Sequence, residues 1–395
     1  MNHKKMTIGF IFVLAILAIA VIWRLNKNDK TAENNPAVSA TSYQTAATTT
    51  TSSSAEVPKK KGDIKQIMAQ MSVAQKVGQL FFSRVPAENA ESDIRQYHLG
   101  GYVLFGQETE NASKESLQKK IQAFQNASEI PLMIGADEEG GSVSRISNNQ
   151  NIVSQPFASP QELYQKGGWD QIVTDTKNKA EILNELGINT GLFPVADVAT
   201  DKQSFIYERT LGMDAKKTSS YVEKVVTTLK EANSGSTLKH FPGYGNNRDS
   251  HLEIVKDERP LAQLRKNDFL PFEAGIKAGA DSILVSHNIV TSIDSEVPAS
   301  ISPAIHQLLR KELDFKGVIM TDDMDMAGLA DFISQEEAGL AALKAGNDLV
   351  MSSSYQTQIP YVIQAVEDGD YSEEELDRSV KRVLVWKEEL GLLKE

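Results

Sequence analysis

The chain has 395 residues, of which 41% are hydrophobic, so it is long enough for a large core, and length alone suggests two or three domains. The formal net charge is −12, and no run of Lys or Arg lies in the part with a globular pattern. This argues against a nucleic-acid partner, because phosphate binding requires clustered positive charge. The sequence contains no cysteine, which excludes a disulfide framework, thiolate metal ligands, a Cys nucleophile and a lipoprotein anchor.

Residues 1–28 have the pattern of a membrane anchor. Two lysines precede an uncharged apolar run from Met6 to Trp23, which is 18 residues long (23 − 6 + 1). A cleaved signal usually has an apolar stretch of about 7–15 residues, whereas a membrane-spanning helix needs about 20. Arg24 follows at once, without a cleavage site of small residues. The pattern predicts a single-pass anchor at the cell membrane with the remaining chain extracellular; secretion is the alternative if the segment is cleaved.

Residues 29–62 form a predicted disordered linker. The stretch from Ser39 to Glu56 is of low complexity and rich in Ser, Thr and Ala. Such a composition buries little apolar surface and is typical of a tether between a membrane and a folded domain. The folded domain is therefore predicted over residues 63–395.

From Asp63 onward, short apolar runs alternate with amphipathic helical segments. The predicted strands are Gly101–Phe105, Ile130–Ile134, Thr190–Val195, Thr237–Phe241, Ser282–Ser286, Gly317–Met320 and Asp348–Met351. The main helices between them are Trp169–Leu186, Ser219–Ala232, Leu264–Ala278 and Gln335–Ala345. Buried strands that alternate with helices predict an α/β fold with a parallel sheet covered on both faces. Seven strands favour a single (β/α)8 barrel with one strand unplaced, and a doubly wound open sheet is the alternative.

Polar residues follow five of the predicted strands. They are Asp137, Asp197, Lys239-His240, Ser286-His287 and Thr321-Asp322-Asp323. A single polar residue at a strand end is usually a helix cap. Five such ends with charged or imidazole side chains indicate a site, because the carboxyl ends of barrel strands share one mouth.

The segment from Lys239 to His251 is the most distinctive in the chain. Its Pro and Gly residues indicate an irregular loop, which carries Asp249 and His251 two positions apart. In extended chain such residues point to the same side, so Asp249 could fix the imidazole tautomer and raise its pKa. The ordinary pKa of His, ~6.5, suits proton transfer near neutrality. A turn with a surface histidine explains the tripeptide equally well by itself.

The paired acids Asp322 and Asp323 end a predicted strand. A carboxylate on a rigid strand can serve as a covalent nucleophile. The alternative is a helix cap followed by a first-turn acid, and a third interpretation has one Asp capping the helix while the other reacts. The His and Asp residues lack zinc spacings such as HExxH, so no metal is predicted, and no cofactor motif such as GxGxxG follows the first strand.

These motifs together resemble glycoside hydrolase family 3, in its β-N-acetylhexosaminidase branch. The resemblance covers the chain from about Asp63 and is carried by several segments in order: Met71-Ser-Val-Ala-Gln-Lys-Val-Gly-Gln-Leu-Phe as a first helix, Gly100-Gly-Tyr-Val-Leu-Phe, Asp137-Glu-Glu-Gly-Gly, Gly187-Ile-Asn-Thr-Gly-Leu-Phe-Pro-Val-Ala-Asp-Val, and Lys239-His-Phe-Pro-Gly leading to Asp-Ser-His251. It implies a retaining glycosidase that removes terminal β-linked N-acetylglucosamine from cell-wall fragments or other glycans. No second domain supplies an acid/base here, so the loop His is expected to do so.

The resemblance implies a role for each matching position. Asp322 is the expected nucleophile, His251 the general acid/base and Asp249 the residue that orients it. The expected substrate-binding residues are Asp137, Arg145, Arg209, Lys239 and His240.

Arg209 opens Arg-Thr-Leu-Gly, where the family usually has Arg-Ser-Phe-Gly. Three other positions depart from the family pattern: Ser142, Tyr244 and Thr321 stand where Arg, His and Ser are usual. None removes a catalytic group, and each could shift substrate preference. The alternatives to hydrolysis are a β-N-acetylglucosaminide phosphorylase and a non-catalytic carbohydrate-binding protein on the same barrel. The predicted partners are a carbohydrate substrate and, through the N-terminal segment, a membrane; the expected oligomeric state is a monomer.

Overall fold

The computed structural model describes residues 62–248 and 254–394. The predicted anchor, nearly all of the predicted linker and both Asp249 and His251 lie outside these ranges. Within the described ranges, no helix combines the length and the apolar character needed to cross a membrane. Because the run from Met6 to Trp23 is not among the described residues, the anchor, the linker and their boundaries stay predictions.

Short strands, most of them parallel, form the centre of the described chain. In chain order they are β1 (Phe82–Arg84), β2 (Gly101–Leu104), β3 (Met133–Ala136), β4 (Glu138–Gly140), β5 (Val143–Ser144), β6 (Thr190–Gly191), β7 (Thr237–Phe241), β8 (Lys256–Asp257), β9 (Ser282–Val285), β10 (Ile289–Val290) and β11 (Val318–Thr321). Strands β2, β3, β7, β9 and β11 are buried at every position. The near-continuous apolar sequence of β2, β3, β9 and β11 follows from this, because both of their faces are covered. Strand β7 is the exception, since its Thr237, Lys239 and His240 are polar.

Helices surround these strands. They are α1 (Ile64–Ala69), α2 (Val73–Gln79), α3 (Ala90–Tyr97), α4 (Gly106–Thr109), α5 (Lys114–Ala127), α6 (Pro160–Leu186), α7 (Ala215–Glu231), α8 (Leu261–Lys266), α9 (Phe269–Ala278), α10 (Pro303–Gln307), α11 (Ala327–Ala330), α12 (Gln335–Ala345), α13 (Tyr355–Glu367) and α14 (Glu373–Glu389). Two 3-10 turns, Tyr207–Arg209 and Ala299–Ile301, and a π-helical turn, Leu308–Glu312, complete the elements.

Local sequence sets where the long helices begin and end. Ser159 caps α6 through a reciprocal pair with Glu162, and Pro160 occupies the first helical position, where its missing N–H costs nothing. The helix ends at Gly187, whose φ of 84° lies in the left-handed region that glycine adopts without strain. Ser372 caps α14 by accepting the Glu375 N–H with its hydroxyl.

Two parallel sheets and four parallel bridges fix the strand order. One sheet has the order β1-β2-β3-β6 and the other β11-β9-β7. Bridges from Thr190 to Gly235 and from Val195 to Lys239 join β6 to β7, and a bridge from Met320 joins β11 to Leu349. The neighbouring Val350 pairs with Phe81, next to β1. The carboxyl ends of all these segments therefore lie on the same side.

Most of the sequence-based elements are confirmed, but β1 and the short strands β4, β5, β8 and β10 were not predicted. Helix α12 has the predicted bounds, whereas the helix predicted over Leu264–Ala278 is interrupted at Asn267. The strand predicted at Ile130–Ile134 lies slightly later in the chain, over β3. Strand β1 went unpredicted because it is short and follows α2 directly, so its apolar run read as the end of that helix. The α/β class is confirmed.

Candidate active site

A cavity of about 250 Å³ opens at the carboxyl ends of the parallel segments. It is lined by residues that follow or end different strands: Arg84, Phe105, Asp137, Leu192, Lys239, His240, Asp322 and Met351 among them, with Arg145 and Arg209 from neighbouring loops. Six of the eight site residues predicted from the sequence therefore line one cavity. Asp249 and His251 are not among the described residues, so their placement stays a prediction.

Four charged residues form one ion-pair network, which we call the charged wall: Asp137, Arg209 and Lys239 line the cavity, and the buried Glu139 pairs with Arg209 and Lys239 behind them. The Lys239 Nζ lies 2.7 Å from Asp137 Oδ1 and 2.6 Å from Glu139 Oε1. Arg209 donates two parallel hydrogen bonds to the Glu139 carboxylate, of 2.9 and 2.8 Å. The carboxylates and cations thus alternate, which fixes each side chain in one orientation.

The charged wall keeps both of its acids ionised. Burial by itself would raise the pKa of Asp137, but the charges of Lys239 and Arg145 lower it to about 2. Burial is likewise outweighed at Glu139, where Arg209 and Lys239 lower the pKa to about 2. Neither carboxyl group holds a proton near neutral pH, so both act as hydrogen-bond acceptors and neither is suited to donate a proton.

His240 is held neutral and in one tautomer. Its burial, together with the charges of Arg209 and Lys239, lowers its pKa well below 6.5. The Arg209 Nη2 lies 3.1 Å from His240 Nε2, and a guanidinium can only donate. Nε2 is therefore the acceptor, and the ring proton sits on Nδ1, 2.8 Å from Asp197 Oδ2. Burial raises the pKa of Asp197 to about 6.

The turn that carries Arg145 is fixed by an acid that faces away from the cavity. Glu138 lies between Asp137 and Glu139, and alternation along the chain turns its side chain to the opposite side. Its carboxylate accepts hydrogen bonds from the backbone N–H groups of Arg145, at 3.0 Å, and Ile146, at 2.7 Å. Arg145 in turn lies 3.5 Å from Asp137 Oδ2 and 5.3 Å above the Phe105 ring.

Asp322 and Asp323 have different environments. Asp322 is half-buried at the end of β11, with its Oδ1 accepting the Asp323 N–H at 2.8 Å. Asp323 is only 4% exposed and pairs with the Arg84 guanidinium, while its Oδ1 accepts the Asp325 N–H at 3.0 Å. Burial raises the pKa of Asp323 to about 6. Both Asp323 oxygens are thus engaged by donors.

The three departures from the family pattern have different positions. Tyr244 is fully buried, with its ring centroid 5.1 Å from that of His240, and its N–H donates to Asp197 at 2.7 Å. The Thr321 hydroxyl accepts the Met351 N–H at 3.0 Å. Ser142 is exposed on the turn between β4 and β5. Tyr244 and Thr321 therefore support the site from behind.

The sequence analysis did not assign three residues to the site: Glu139, Asp197 and Arg84. Glu139 had a readable signal, because it stands two positions after Asp137 in extended chain and must face the same side. Asp197 was noticed as a strand end but not assigned to the site. Arg84 gave no signal, because β1 itself was not predicted. Within the described ranges no cluster of His, Asp and Glu could hold a metal ion, and the predicted absence of a metal remains a prediction.

Comparisons with known proteins show the family. The profile described as "Glycosyl hydrolase family 3 N terminal domain" matches residues 72–385. A β-hexosaminidase of Xanthomonas campestris is 33% identical over 258 residues, covering 64% of this chain and 76% of that protein. The β-hexosaminidase LpqI of Mycobacterium tuberculosis is 29% identical over 362 residues, covering 88% and 91%.

A solved structure shows the same fold. The family 3 β-N-acetylglucosaminidase from Paenibacillus superposes with a TM-score of 0.76 at 27% identity, covering 82% of this chain and 63% of that one. This chain thus spans less than two thirds of that longer protein.

Parallel strands with carboxylates, cations and a neutral imidazole at their carboxyl ends suit a glycosidase, and the chain belongs to glycosyl hydrolase family 3. Its curated relatives place it in the β-N-acetylhexosaminidase branch of that family.

Proposed function

We propose that the enzyme removes terminal, non-reducing β-linked N-acetylglucosamine from cell-wall fragments or other glycans, with retention, through a covalent glycosyl-enzyme on Asp322. The observation that carries the proposal is the cavity itself, in which a carboxylate at the end of β11 faces the charged wall. Six residues that the family resemblance assigns to nucleophile and sugar binding line this one space.

The size of the cavity supports removal of one sugar at a time. At about 250 Å³ it is smaller than the roughly 300–1,000 Å³ typical of sites for drug-sized ligands. Fixed acceptors on Asp137 and donors on Lys239 and Arg209 suit the vicinal hydroxyls of a pyranose ring. The neutral His240 adds a polar group without adding charge.

Asp322 suits the nucleophile better than Asp323. Asp323 is bound by Arg84 and by the Asp325 N–H, so neither of its oxygens is available for attack. The backbone at Asp322 is held in place, because the Asp322 N–H donates a hydrogen bond to Val285 O at 2.9 Å. A carboxylate held this way can attack the anomeric carbon in line with departure of the leaving oxygen.

The acid/base is proposed to be His251, oriented by Asp249. Among the described cavity residues, Asp137 has too low a pKa to hold a proton, His240 is held neutral, and Asp323 is ion-paired with Arg84 through one oxygen and accepts the Asp325 N–H with the other. None of them is suited to protonate a leaving oxygen. In the first step His251 donates a proton to the glycosidic oxygen as Asp322 bonds to the sugar; in the second it removes a proton from the water that releases Asp322.

The wider architecture is proposed on similar grounds. The parallel bridges from β6 to β7 and from β11 through Leu349 and Val350 to β1 support a single (β/α)8 barrel over residues 63–395. The apolar run in residues 1–28 and the linker in residues 29–62 support an enzyme anchored to the membrane with its barrel outside the cell, and the monomeric state stays a prediction.

The test is turnover of a chromogenic β-N-acetylglucosaminide by the full chain, compared with the matching β-glucoside. We expect release of N-acetylglucosamine with the β configuration first formed, followed in real time by NMR, and a rate that does not depend on added phosphate. Formation of the α-anomer would refute retention. Phosphate-dependent release of sugar 1-phosphate would indicate the phosphorylase, and binding without turnover would indicate a non-catalytic protein.

A further inference from the structure

Arg259 joins the two ends of the segment that carries the proposed acid/base. This segment runs from Pro242 to Val255 and leaves the site directly after His240 and Phe241. The Arg259 Nη2 donates to Gly243 O at 2.7 Å, at the start of the segment, and to Asp257 Oδ2 at 2.6 Å, just past its end. A single guanidinium therefore bridges both ends.

Buried acids hold the Arg259 guanidinium from two sides. Its Nε lies 2.9 Å from Asp257 Oδ1, and its Nη1 lies 2.7 Å from Asp268 Oδ1, next to the start of α9. The Arg259 side chain is 18% exposed and both carboxylates are fully buried. Buried, charge-assisted and partly bidentate contacts of this kind hold the Arg259 guanidinium in one orientation.

The backbone of the segment packs directly on this ion-pair network. Gly243 has a φ of 109°, and a Cβ there would lie 2.9 Å from the Asp268 Cβ. Gly245 has a φ of 56°, and a Cβ there would lie 2.2 Å from Arg259 Nη1. Both positions require glycine for their conformation and for the close approach.

Each end of the segment is also fixed to the rest of the fold. At the start, the Tyr244 N–H donates to Asp197, the same carboxylate that holds the His240 ring. At the end, Asp257 O accepts the Thr291 N–H at 2.9 Å, which continues the pairing of β8 with β10. Both ends of the segment are thus held in fixed positions, and the start is held by the carboxylate that also holds the sugar-binding His240.

We infer that Arg259 is a positioning residue for proton transfer: by tying Gly243 to Asp257 and Asp268, it sets where the segment presents Asp249 and His251 to the glycosidic oxygen. This inference rests on the proposed acid/base role of His251. Arg259 does not line the cavity, so it affects the reaction through the segment only.

The experiment measures kcat/KM of the full-length Arg259→Lys enzyme on two substrates. A 4-nitrophenyl β-N-acetylglucosaminide departs without protonation, whereas N,N′-diacetylchitobiose needs an acid. General acid catalysis is worth about 10²–10⁴-fold, so misplacement should cost about 10- to 100-fold on chitobiose and less than about threefold on the aryl substrate. Lysine keeps the charge but loses the fork that reaches two ends at once.

Arg310→Lys is the matched control. Arg310 is 20% exposed, donates to the carbonyls of Phe315 and Gly317, and pairs with the buried Asp348, all outside the cavity. We expect this variant to lower the melting temperature while leaving the ratio of the two kcat/KM values unchanged. Should Arg259→Lys fail to fold, Asp268→Asn removes the charge on one side of the same network and is expected to show the same selectivity to a smaller extent.

The His251→Ala variant tests the acid/base role of His251 separately from the positioning role of Arg259. If it shows no selectivity between the substrates, the acid/base role itself is wrong. If His251→Ala is selective but folded Arg259→Lys loses activity equally on both substrates, or loses none, the positioning role of Arg259 is overturned. The double variant should be no more selective than His251→Ala alone, because both changes act on the same proton transfer.

Discussion

Replacement of Lys239 by methionine is the sharpest test of the charged wall. The lysine side chain is 3% exposed and lies within 2.7 Å of Asp137 and 2.6 Å of Glu139. Methionine has a similar length and fills the space without charge. Asp137 would retain only Arg145, at 3.5 Å, whereas Glu139 would retain its two hydrogen bonds from Arg209.

The expected magnitude follows from the pKa values. A folded pKa of about 2 for Asp137, against ~3.9 in the unfolded chain, corresponds to about 2.6 kcal/mol at neutral pH. Most of this should come from Lys239, the nearer cation. A further contribution of about 1 kcal/mol from Glu139 gives a loss of about 3 kcal/mol, at the lower end of the 3–5 kcal/mol typical of broken buried ion pairs.

The loss should depend on pH in a defined direction. The folded pKa of each acid lies below its unfolded value, so the stabilisation is present above about pH 4 and is lost as pH falls towards 2. In Lys239→Met the folded pKa of Asp137 rises, so this stabilisation is missing already at neutral pH. The difference from wild type should therefore be largest at pH 7 and smaller at pH 3.5.

The assay combines unfolding by denaturant at pH 7, 5 and 3.5 with kcat/KM on the aryl N-acetylglucosaminide. Loss of a charged hydrogen bond to the sugar, worth about 1.5–3 kcal/mol, should lower kcat/KM by about 10- to 150-fold. Arg382→Met is the control, since it removes one of two cations from buried Asp348 outside the cavity, and kcat/KM should stay unchanged. A stability difference that grows as pH falls would refute the reasoning.

Three further predictions address single groups. Asp322→Asn should lower kcat by several powers of ten, whereas Asp323→Asn should lower it far less, and a mechanism-based label located by mass spectrometry should be on Asp322. His251→Ala and Asp249→Ala should each slow unactivated glycosides more than aryl glycosides, by about 10²–10⁴-fold for the histidine, with non-additive effects in the double variant; additive losses in the kinetics would contradict a joint role. The fully buried Lys387 has a pKa lowered by burial to about 7, so the unfolded chain binds more protons between pH 7 and 10 and stability should rise with pH there. Lys387→Met should therefore be more stable than wild type by about 4 kcal/mol at pH 6, from about three pKa units at about 1.4 kcal/mol each, with little difference at pH 10 in denaturant unfolding. A destabilised variant at pH 6 would show that the hydrogen bond from Lys387 to Gln79 matters more.

Continuous apolar runs were sufficient to predict the α/β class and most of the central strands. Runs such as Gly101–Leu104 and Ser282–Val285 are buried on both faces, so almost every residue in them must be apolar. The same logic located Asp322, because a polar residue directly after such a run marks the carboxyl end of a strand, whereas Lys239 and His240 lie inside β7 and were noticed as polar residues near its end.

Short or interrupted elements could not be predicted in this way. Strand β1 has three residues and follows α2 with little break, so local sequence does not separate strand from helix. Its place is decided by pairing with Gly101–Val103 of β2 and, through Phe81, with Val350. Arg84 enters the site only because this pairing exists.

The charge network of the site was decided by tertiary structure alone. Glu139 and Arg209 are separated by 70 residues, and Lys239 and Asp137 by 102, so no local pattern links them. In the sequence, Arg259 is a single basic residue after a short polar run. Only folding brings it into contact with Gly243 and Asp268. The sequence by itself determined which residues end the strands, because burial acts on local composition. The tertiary structure decided which of those residues meet and what protons they hold, because distance and burial are properties of the packed chain.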